Sequence, residues 1–253
     1  FMYSELLKGV KKVIEMGIQP NSLGINSWGV DYGYIDKNGE LISNPINYRD
    51  TRTIKNIKKL EKIGLGAKEL YKITGISCMP FNTIMQIYEY LENRNDIIKN
   101  AKTLLFTPDL FAYFLTDNIS AEYTIASTSQ LMDINKKNWS EEIFEKINFD
   151  IKKMPNFINT GDKKGILKKE IADYLGCKPF DIIAVASHDT ASAVLSAPLK
   201  NENSAYLSCG SWSLLGVELE KPILTDEAFN NGFTNETGYN NTIRFFENIN
   251  GLW

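Results

Sequence analysis

The sequence predicts an α/β fold, and three observations carry that prediction. Runs of apolar residues at helical spacing alternate along the chain with short apolar runs of strand length. One short run, Asp181-Ile182-Ile183-Ala184-Val185-Ala186, leads straight into Ser187-His188-Asp189-Thr190 and a small-residue helix, Ala191-Ser192-Ala193-Val194-Leu195. No internal repeat or low-complexity segment interrupts the alternation.

Taken in order, Leu6, Leu7, Val10, Val13 and Ile14 recur at spacings of three and four between Lys8, Lys11, Lys12 and Glu15, an amphipathic helix ending near Gly17. Ser22-Leu23-Gly24-Ile25-Asn26-Ser27 reads as a short buried strand, as if the chain began midway through a crossover whose first strand is missing. Positions 30–35 alternate, Lys37-Asn38-Gly39 supplies a turn, and Glu40-Leu41-Ile42 returns, so a hairpin is expected. Helical spacing covers 53–63, 68–73 and 83–91, with breaks at Gly64-Leu65-Gly66, Gly75 and Pro80. Leu104-Leu105-Phe106 is a strand candidate, and Pro108 opens the helix after it. The polar stretch 135–169 is expected to be a peripheral excursion with one helix near 140–147 and a turn at 161–165. The run 181–186 is apolar after Asp181, the pattern of a strand buried on both faces. Strands at 205–209 and 212–217 join at Gly210-Ser211.

Composition excludes several classes of function. The 253 residues are 43% hydrophobic and 23% charged, which suits a folded body with a substantial core and is too apolar for a disordered chain. Twenty-eight Lys and Arg against 31 Asp and Glu give a net charge of −3, so no basic surface is implied and nucleic acid is not an expected partner. No apolar run reaches the roughly 18 residues that span a bilayer. The opening Phe1-Met2-Tyr3-Ser4-Glu5 lacks the features of a secretory signal, so no membrane partner and a cytoplasmic location are expected. Cys78, Cys177 and Cys209 stand far apart without a C-x-x-C pattern and are expected to be reduced, buried thiols.

Asp189 stands where a strand meets a helix N-terminus, and the helix dipole there favours an ionised carboxylate. An anionic base and a helix cap both fit that position. His188 is the only histidine, which excludes His-dyad chemistry and multi-histidine metal sites and leaves a hydrogen-bonding contact to structure or substrate. Gly210-Ser211-Trp212-Ser213 has the composition of a turn that offers N–H groups and hydroxyls to a phosphate, and equally of a hairpin turn with no ligand. Neither a P-loop nor a Rossmann glycine pattern occurs. Trp28-Gly29-Val30-Asp31 and Tyr48-Arg49-Asp50-Thr51-Arg52 mix rings, charges and small residues in a way that suits polyols. Their plain alternatives are an Arg49–Asp50 ion pair and a Trp28 that fills core. Asp31 and Asp189, if adjacent, would make a glycosidase carboxylate pair.

Six segments in collinear order resemble the rhamnulokinase branch of the FGGY carbohydrate kinases. They are Ser22-Leu-Gly-Ile-Asn-Ser-Trp-Gly-Val-Asp31, Tyr48-Arg-Asp-Thr-Arg-Thr53, Pro80-Phe-Asn-Thr83, Val185-Ala-Ser-His-Asp-Thr-Ala-Ser-Ala-Val194, Tyr206-Leu-Ser-Cys-Gly-Ser-Trp-Ser-Leu214 and Asn248-Ile-Asn-Gly-Leu-Trp253. The resemblance implies an actin-like, ribonuclease-H-like fold of two domains with sugar and ATP in the cleft between them. Residues 1–180 would belong to the sugar-binding domain and 181–253 would begin the nucleotide-binding domain, with the first hairpin and most of the second domain missing. It also implies Asp189 as the base that takes the proton of a ketose hydroxyl, with Gly29, His188, Asp189, Thr190 and Asn248 on the sugar. Ser211 would meet the phosphates of ATP, and Mg²⁺ would be held in the missing hairpin. The implied product is L-rhamnulose 1-phosphate; a kinase for another ketose such as L-fuculose, and a sugar-binding fragment without activity, are the alternatives. Ser211 stands where Thr is usual, and Asn82 where many relatives outside this branch carry Lys.

Overall fold

In the computed structural model, which describes residues 1–201, 203–210 and 212–251, the first amphipathic stripe forms α1 (Met2–Glu15). Its Leu6, Leu7, Val10 and Ile14 pack with Leu23 and Ile25 on a cluster that includes Leu115, Leu175, Phe180 and Ile182. After β1 (Ser22–Gly24) and β2 (Tyr32–Asp36) come α2 (Asn56–Lys62), α3 (Ala67–Thr74), α4 (Thr83–Asn93) and α5 (Asn95–Asn100). Then follow β3 (Ala101–Phe106), α6 (Thr107–Thr116), β4 (Ala121–Glu122) and α7 (Tyr123–Ser127). The middle of the chain holds β5 (Met132–Asp133), β6 (Asn138–Trp139), α8 (Glu141–Lys146), β7 (Phe157–Ile158), β8 (Lys163–Ile166) and α9 (Lys169–Leu175). Next come β9 (Asp181–Ile183), α10 (Asp189–Ser196), β10 (Ala205–Cys209), β11 (Trp212–Leu219), α11 (Asp226–Asn230), β12 (Phe233–Thr237) and β13 (Ile243–Asn250). Among the described residues no helix is long and apolar enough to cross a membrane.

Two sheets position the site. In the first, β9 lies between β1, its parallel neighbour, and β8, its antiparallel one. In the second, the antiparallel order is β10-β11-β13-β12. The second sheet is fastened to the rest through β12: Asn235 N–H donates to the Gly75 carbonyl at 2.8 Å, and the Thr237 hydroxyl to the Tyr123 carbonyl at 2.8 Å.

Three expectations are corrected. The run 181–186 alternates, with Ile182, Ala184 and Ala186 buried and Asp181, Ile183 and Val185 only half-buried, because the sheet is packed tightly on one face alone. The segment 135–169 is no peripheral excursion, since Trp139, Ile143, Phe144, Ile147, Phe149 and Met154 all enter the largest core cluster. The hairpin after β2 forms, with Asp36 N–H donating to the Glu40 carbonyl and Ile42 N–H to the Tyr34 carbonyl, both at 2.9 Å, while the longer ladder of β2 is with β3. The thiols are free, but Cys78 and Cys177 are half-buried and Cys209 is exposed.

Gly24 shows how closely the two parallel strands approach. A Cβ there would stand 2.3 Å from Val185 Cγ1, well inside van der Waals contact. Gly24→Ala is therefore expected to destabilise the chain by about 1–3 kcal/mol through overpacking. Urea denaturation checks this, with Gly24→Ala/Val185→Ala recovering part of the loss.

Candidate active-site cleft

The parallel pairing continues past the ends of β1 and β9. Ser27 N–H donates to the Ser187 carbonyl at 3.0 Å, and Asp189 N–H returns to the Ser27 carbonyl at 2.8 Å. Trp28-Gly29 and His188-Asp189 thus emerge together beyond the carboxyl ends of two parallel strands, where open α/β sheets place their ligands. The second loop is held from below by the buried Glu122. One of its carboxylate oxygens accepts Thr124 N–H at 3.0 Å and Ser187 N–H at 3.0 Å, while the other accepts the Thr160 hydroxyl at 2.7 Å. The Thr124 hydroxyl in turn accepts His188 N–H at 3.1 Å.

The first loop contains a sharp turn. Asp31 N–H reaches back to the Gly29 carbonyl at 2.9 Å, and Val30 between them has φ of +65°, the rarer and strained form of γ-turn. Three side chains hold it. The Thr128 hydroxyl accepts Val30 N–H at 3.1 Å, and Thr83 and Gln86 of α4 donate to the Val30 carbonyl at 2.8 and 3.2 Å. A Cβ at Gly29 would meet Thr128 Oγ1 at 2.9 Å, so the loop passes closer to α7 than a side chain permits. The Trp28 indole donates to Asp31 Oδ2 at 2.8 Å, and Tyr48 N–H donates to the same oxygen at 3.3 Å.

These loops border a cleft of about 440 Å³. One side carries Trp28, Gly29, Tyr48, Phe81 and Asn82, and the second sheet supplies Ser208, Cys209, Trp212 and Asn248. Aromatic contacts run across it: Tyr48 packs edge-on to Phe81 at 5.5 Å, and Phe81 meets Trp212 at 5.9 Å between ring centres. His188, Asp189 and Thr190 enter the cleft with Thr234 and Glu236.

The helix cap reading of Asp189 does not hold. His188 is the residue flanking α10, and Asp189 is its first helical residue, accepting from the N–H and hydroxyl of Thr190, at 2.5 and 3.1 Å. Its side chain is 52% exposed and lines the cleft. His188 is buried and directional. Nδ1 faces Glu236 Oε2 at 3.0 Å and Arg244 Nη2 at 3.1 Å, while Nε2 stands 3.5 Å from Asp189 Oδ1. Arg244, without any exposed surface, donates to Glu236 Oε2 at 2.7 Å and to the Thr237 carbonyl at 3.2 Å. Burial works to raise the Glu236 carboxyl, but His188 and Arg244 outweigh it and hold the group below its ordinary value.

The structure brings Gly29, His188, Asp189, Thr190 and Asn248 to this one cleft. Ser211 lies outside the described residues. Asp31 is buried and does not line the cleft; its carboxylate is engaged by Trp28 and Tyr48, which removes the glycosidase pair. Burial is the main influence raising the Asp31 carboxyl. Asp50 pairs with Arg52 at 3.4 Å, and Arg49 donates to the Tyr48 hydroxyl at 3.1 Å, so the expected Arg49–Asp50 pair is replaced. Sequence reasoning missed Glu236, Arg244 and Thr128. The first two are directly opposite each other on β12 and β13, a cross-strand relation invisible until the register is known.

Residues 5–196 match the model of the FGGY family of carbohydrate kinases, N-terminal domain. The chain is 39% identical over 249 residues to a rhamnulokinase of Pectobacterium atrosepticum, covering 98% of this chain and 49% of the relative. It is 40% identical over 255 residues to a rhamnulokinase of Bacillus subtilis, covering 100% of this chain and 51% of the relative. The chain therefore spans about half the length of the curated relatives it matches. A ligand-bound xylulose kinase from Lactobacillus acidophilus superposes with a TM-score of 0.86 at 14% identity, over 98% of this chain and 51% of that one. Plasmodium falciparum glycerol kinase with ADP gives 0.81 at 20% identity, over 98% and 51%. The fold is that of these sugar kinases, the actin-like ATPase type.

A carboxyl held below its unfolded value stabilises the fold fully above that value, 4.5 for Glu236, and the contribution is lost as pH falls through the lower folded value. Glu236→Gln is expected to flatten the acid limb of a melting-temperature profile below about pH 4.5 and to cost about 3–5 kcal/mol at neutral pH, by leaving Arg244 buried without its counter-charge.

Proposed function

The chain belongs to the FGGY family of carbohydrate kinases, and from that premise we propose that it forms the sugar-binding side of an ATP-dependent kinase converting L-rhamnulose to L-rhamnulose 1-phosphate. One observation carries the reading: the half-exposed carboxylate of Asp189 stands in the cleft at the start of α10, next to a buried, oriented His188. The name its relatives carry, rhamnulokinase, supports the choice of ketose.

Asp189 accepts the proton of the sugar's primary hydroxyl as that oxygen forms its bond to the γ-phosphorus and the bond to the leaving ADP breaks. Phosphoryl transfer asks the protein chiefly for position and charge, and a carboxylate of this kind takes the proton as the bond forms. Gly29, His188, Thr190 and Asn248 align the ketose from both sides of the cleft. Trp28, Phe81 and Trp212 offer ring surfaces to the carbon face and terminal methyl of a deoxysugar. ATP is the phosphoryl donor and Mg²⁺ supplies charge on its phosphates. Among the described residues no group of three or more His, Cys, Asp or Glu gathers to hold a metal ion. Ser211, assigned to the phosphates, lies outside them as well, so the steps these residues perform concern the sugar. The division at about residue 180 belongs to the same reading; the separate sheet over 205–250 supports a second unit, while β9 stays paired with β1.

Coupled ADP release with Mg²⁺-ATP, measured over L-rhamnulose, L-fuculose and D-xylulose, tests the proposal on this chain and on a version extended to the relatives' length. Rhamnulose-dependent turnover in the extended version is expected. Saturable ketose binding without turnover in either would replace the kinase with a sugar-binding protein. In the extended version Asp189→Asn is expected to keep ketose affinity near normal and to lose turnover by about two orders of magnitude or more.

A further inference from the structure

We infer that Glu236 is a positioning residue: held by Arg244, it fixes the ring proton of His188 on Nδ1 and leaves Nε2 as the atom that meets a sugar hydroxyl. The sugar contact rests on the kinase reading; the tautomer does not. Nδ1 faces two groups of opposite kind, a carboxylate oxygen at 3.0 Å and a guanidinium nitrogen at 3.1 Å. A bare Nδ1 would set its lone pair against the Glu236 carboxylate. A protonated Nδ1 donates to it in a charge-assisted bond, the stronger choice. Without Nδ1 as an acceptor Arg244 still keeps Nη2 on Glu236 Oε2 at 2.7 Å and Nε on the Thr237 carbonyl at 3.2 Å. The proton therefore stays on the Glu236 side. Nε2 faces a carboxylate too, but Asp189 Oδ1 stands at 3.5 Å against 3.0 Å for Glu236, so the proton goes to the nearer carboxylate and Nε2 is left as the acceptor, as a carboxylate behind a histidine fixes its tautomer elsewhere.

Arg244 also explains why Glu236 can do this while buried. The Glu236–Arg244 pair is a directly opposed cross-strand pair on β12 and β13, so the sheet register fixes the carboxylate before any ligand arrives. Thr124 fixes the backbone end of the same histidine, through the N–H of His188. The imidazole is thus held at both ends, with one nitrogen committed.

His188 is the only histidine in the chain, so one ¹⁵N-histidine label gives a single ring spin system. Long-range ¹H–¹⁵N spectra of the unsubstituted chain at neutral to mildly alkaline pH are expected to show Nδ1 as the protonated nitrogen and Nε2 as the bare one. The reverse pattern, or a ring protonated on both nitrogens, would overturn the inference, and since the measurement needs no variant it stands even if Glu236 substitutions do not fold. In folded Glu236→Gln the ring is expected to shift toward an Nε2–H population; an unchanged pattern would remove Glu236 from the role. In the extended version the same variant is expected to raise the ketose KM about tenfold while kcat falls less, the loss of one hydrogen bond to substrate. Absence of turnover with every ketose alongside an intact Nδ1–H pattern would sink the kinase reading and leave the tautomer assignment in place.

Discussion

The buried carboxylate of Glu122 is the interaction on which the rest of the site depends. It collects the start of α7, the Thr160 hydroxyl and the Ser187 amide on two oxygen atoms, in a place with no access to solvent. A buried charge is tolerable only when donors surround it, and here the donors come from three separate stretches of chain. The carboxylate thereby converts its own need for partners into the placement of the loop that carries His188 and Asp189. Thr124, one residue into α7, adds the amide of His188 to the same arrangement.

A second buried charge system lies on the other side of that histidine. Arg244 is completely enclosed, and its counter-charge Glu236 is shared with the imidazole. Such clusters seldom add much net stability, because desolvation offsets the attraction, but they lose a great deal when one partner is removed. What the cluster provides is direction. Sheet register sets the pair, the pair sets the ring, and the ring presents one nitrogen toward Asp189.

Much of this is legible in the sequence, and the limits have physical causes. The junction at 186–190 is readable because an apolar run followed by small residues at helical spacing fits little besides a strand entering a closely packed helix, and α1, α3, α4 and α6 follow from periodicity and proline placement. The stretch 135–169 misleads because its average polarity conceals Trp139, Ile143 and Phe144, positions that tie it to the core. Glu236 and Arg244 are unreadable for a different reason. Charged residues on a strand normally mark its solvent face, and only the pairing of β12 with β13 shows that these two neutralise each other inside. The resemblance to FGGY kinases supplies the grouping of Gly29, His188, Thr190 and Asn248, which no local pattern connects.

The pairing of Ser22 with Asp181 has a consequence for how the molecule comes into being. Parallel strands separated by so much intervening chain meet late, since the entropy of closing that loop must be met before the contact returns anything. During synthesis the Trp28 loop emerges early and waits, with its cleft partner still to be made. The core around α4, α8 and β3 contains no residue of β1 or β9 and does not depend on that meeting. The Trp28 and His188 loops face one another only through that pairing and its continuation at Ser27 and Ser187, so the cleft forms when the two distant strands meet.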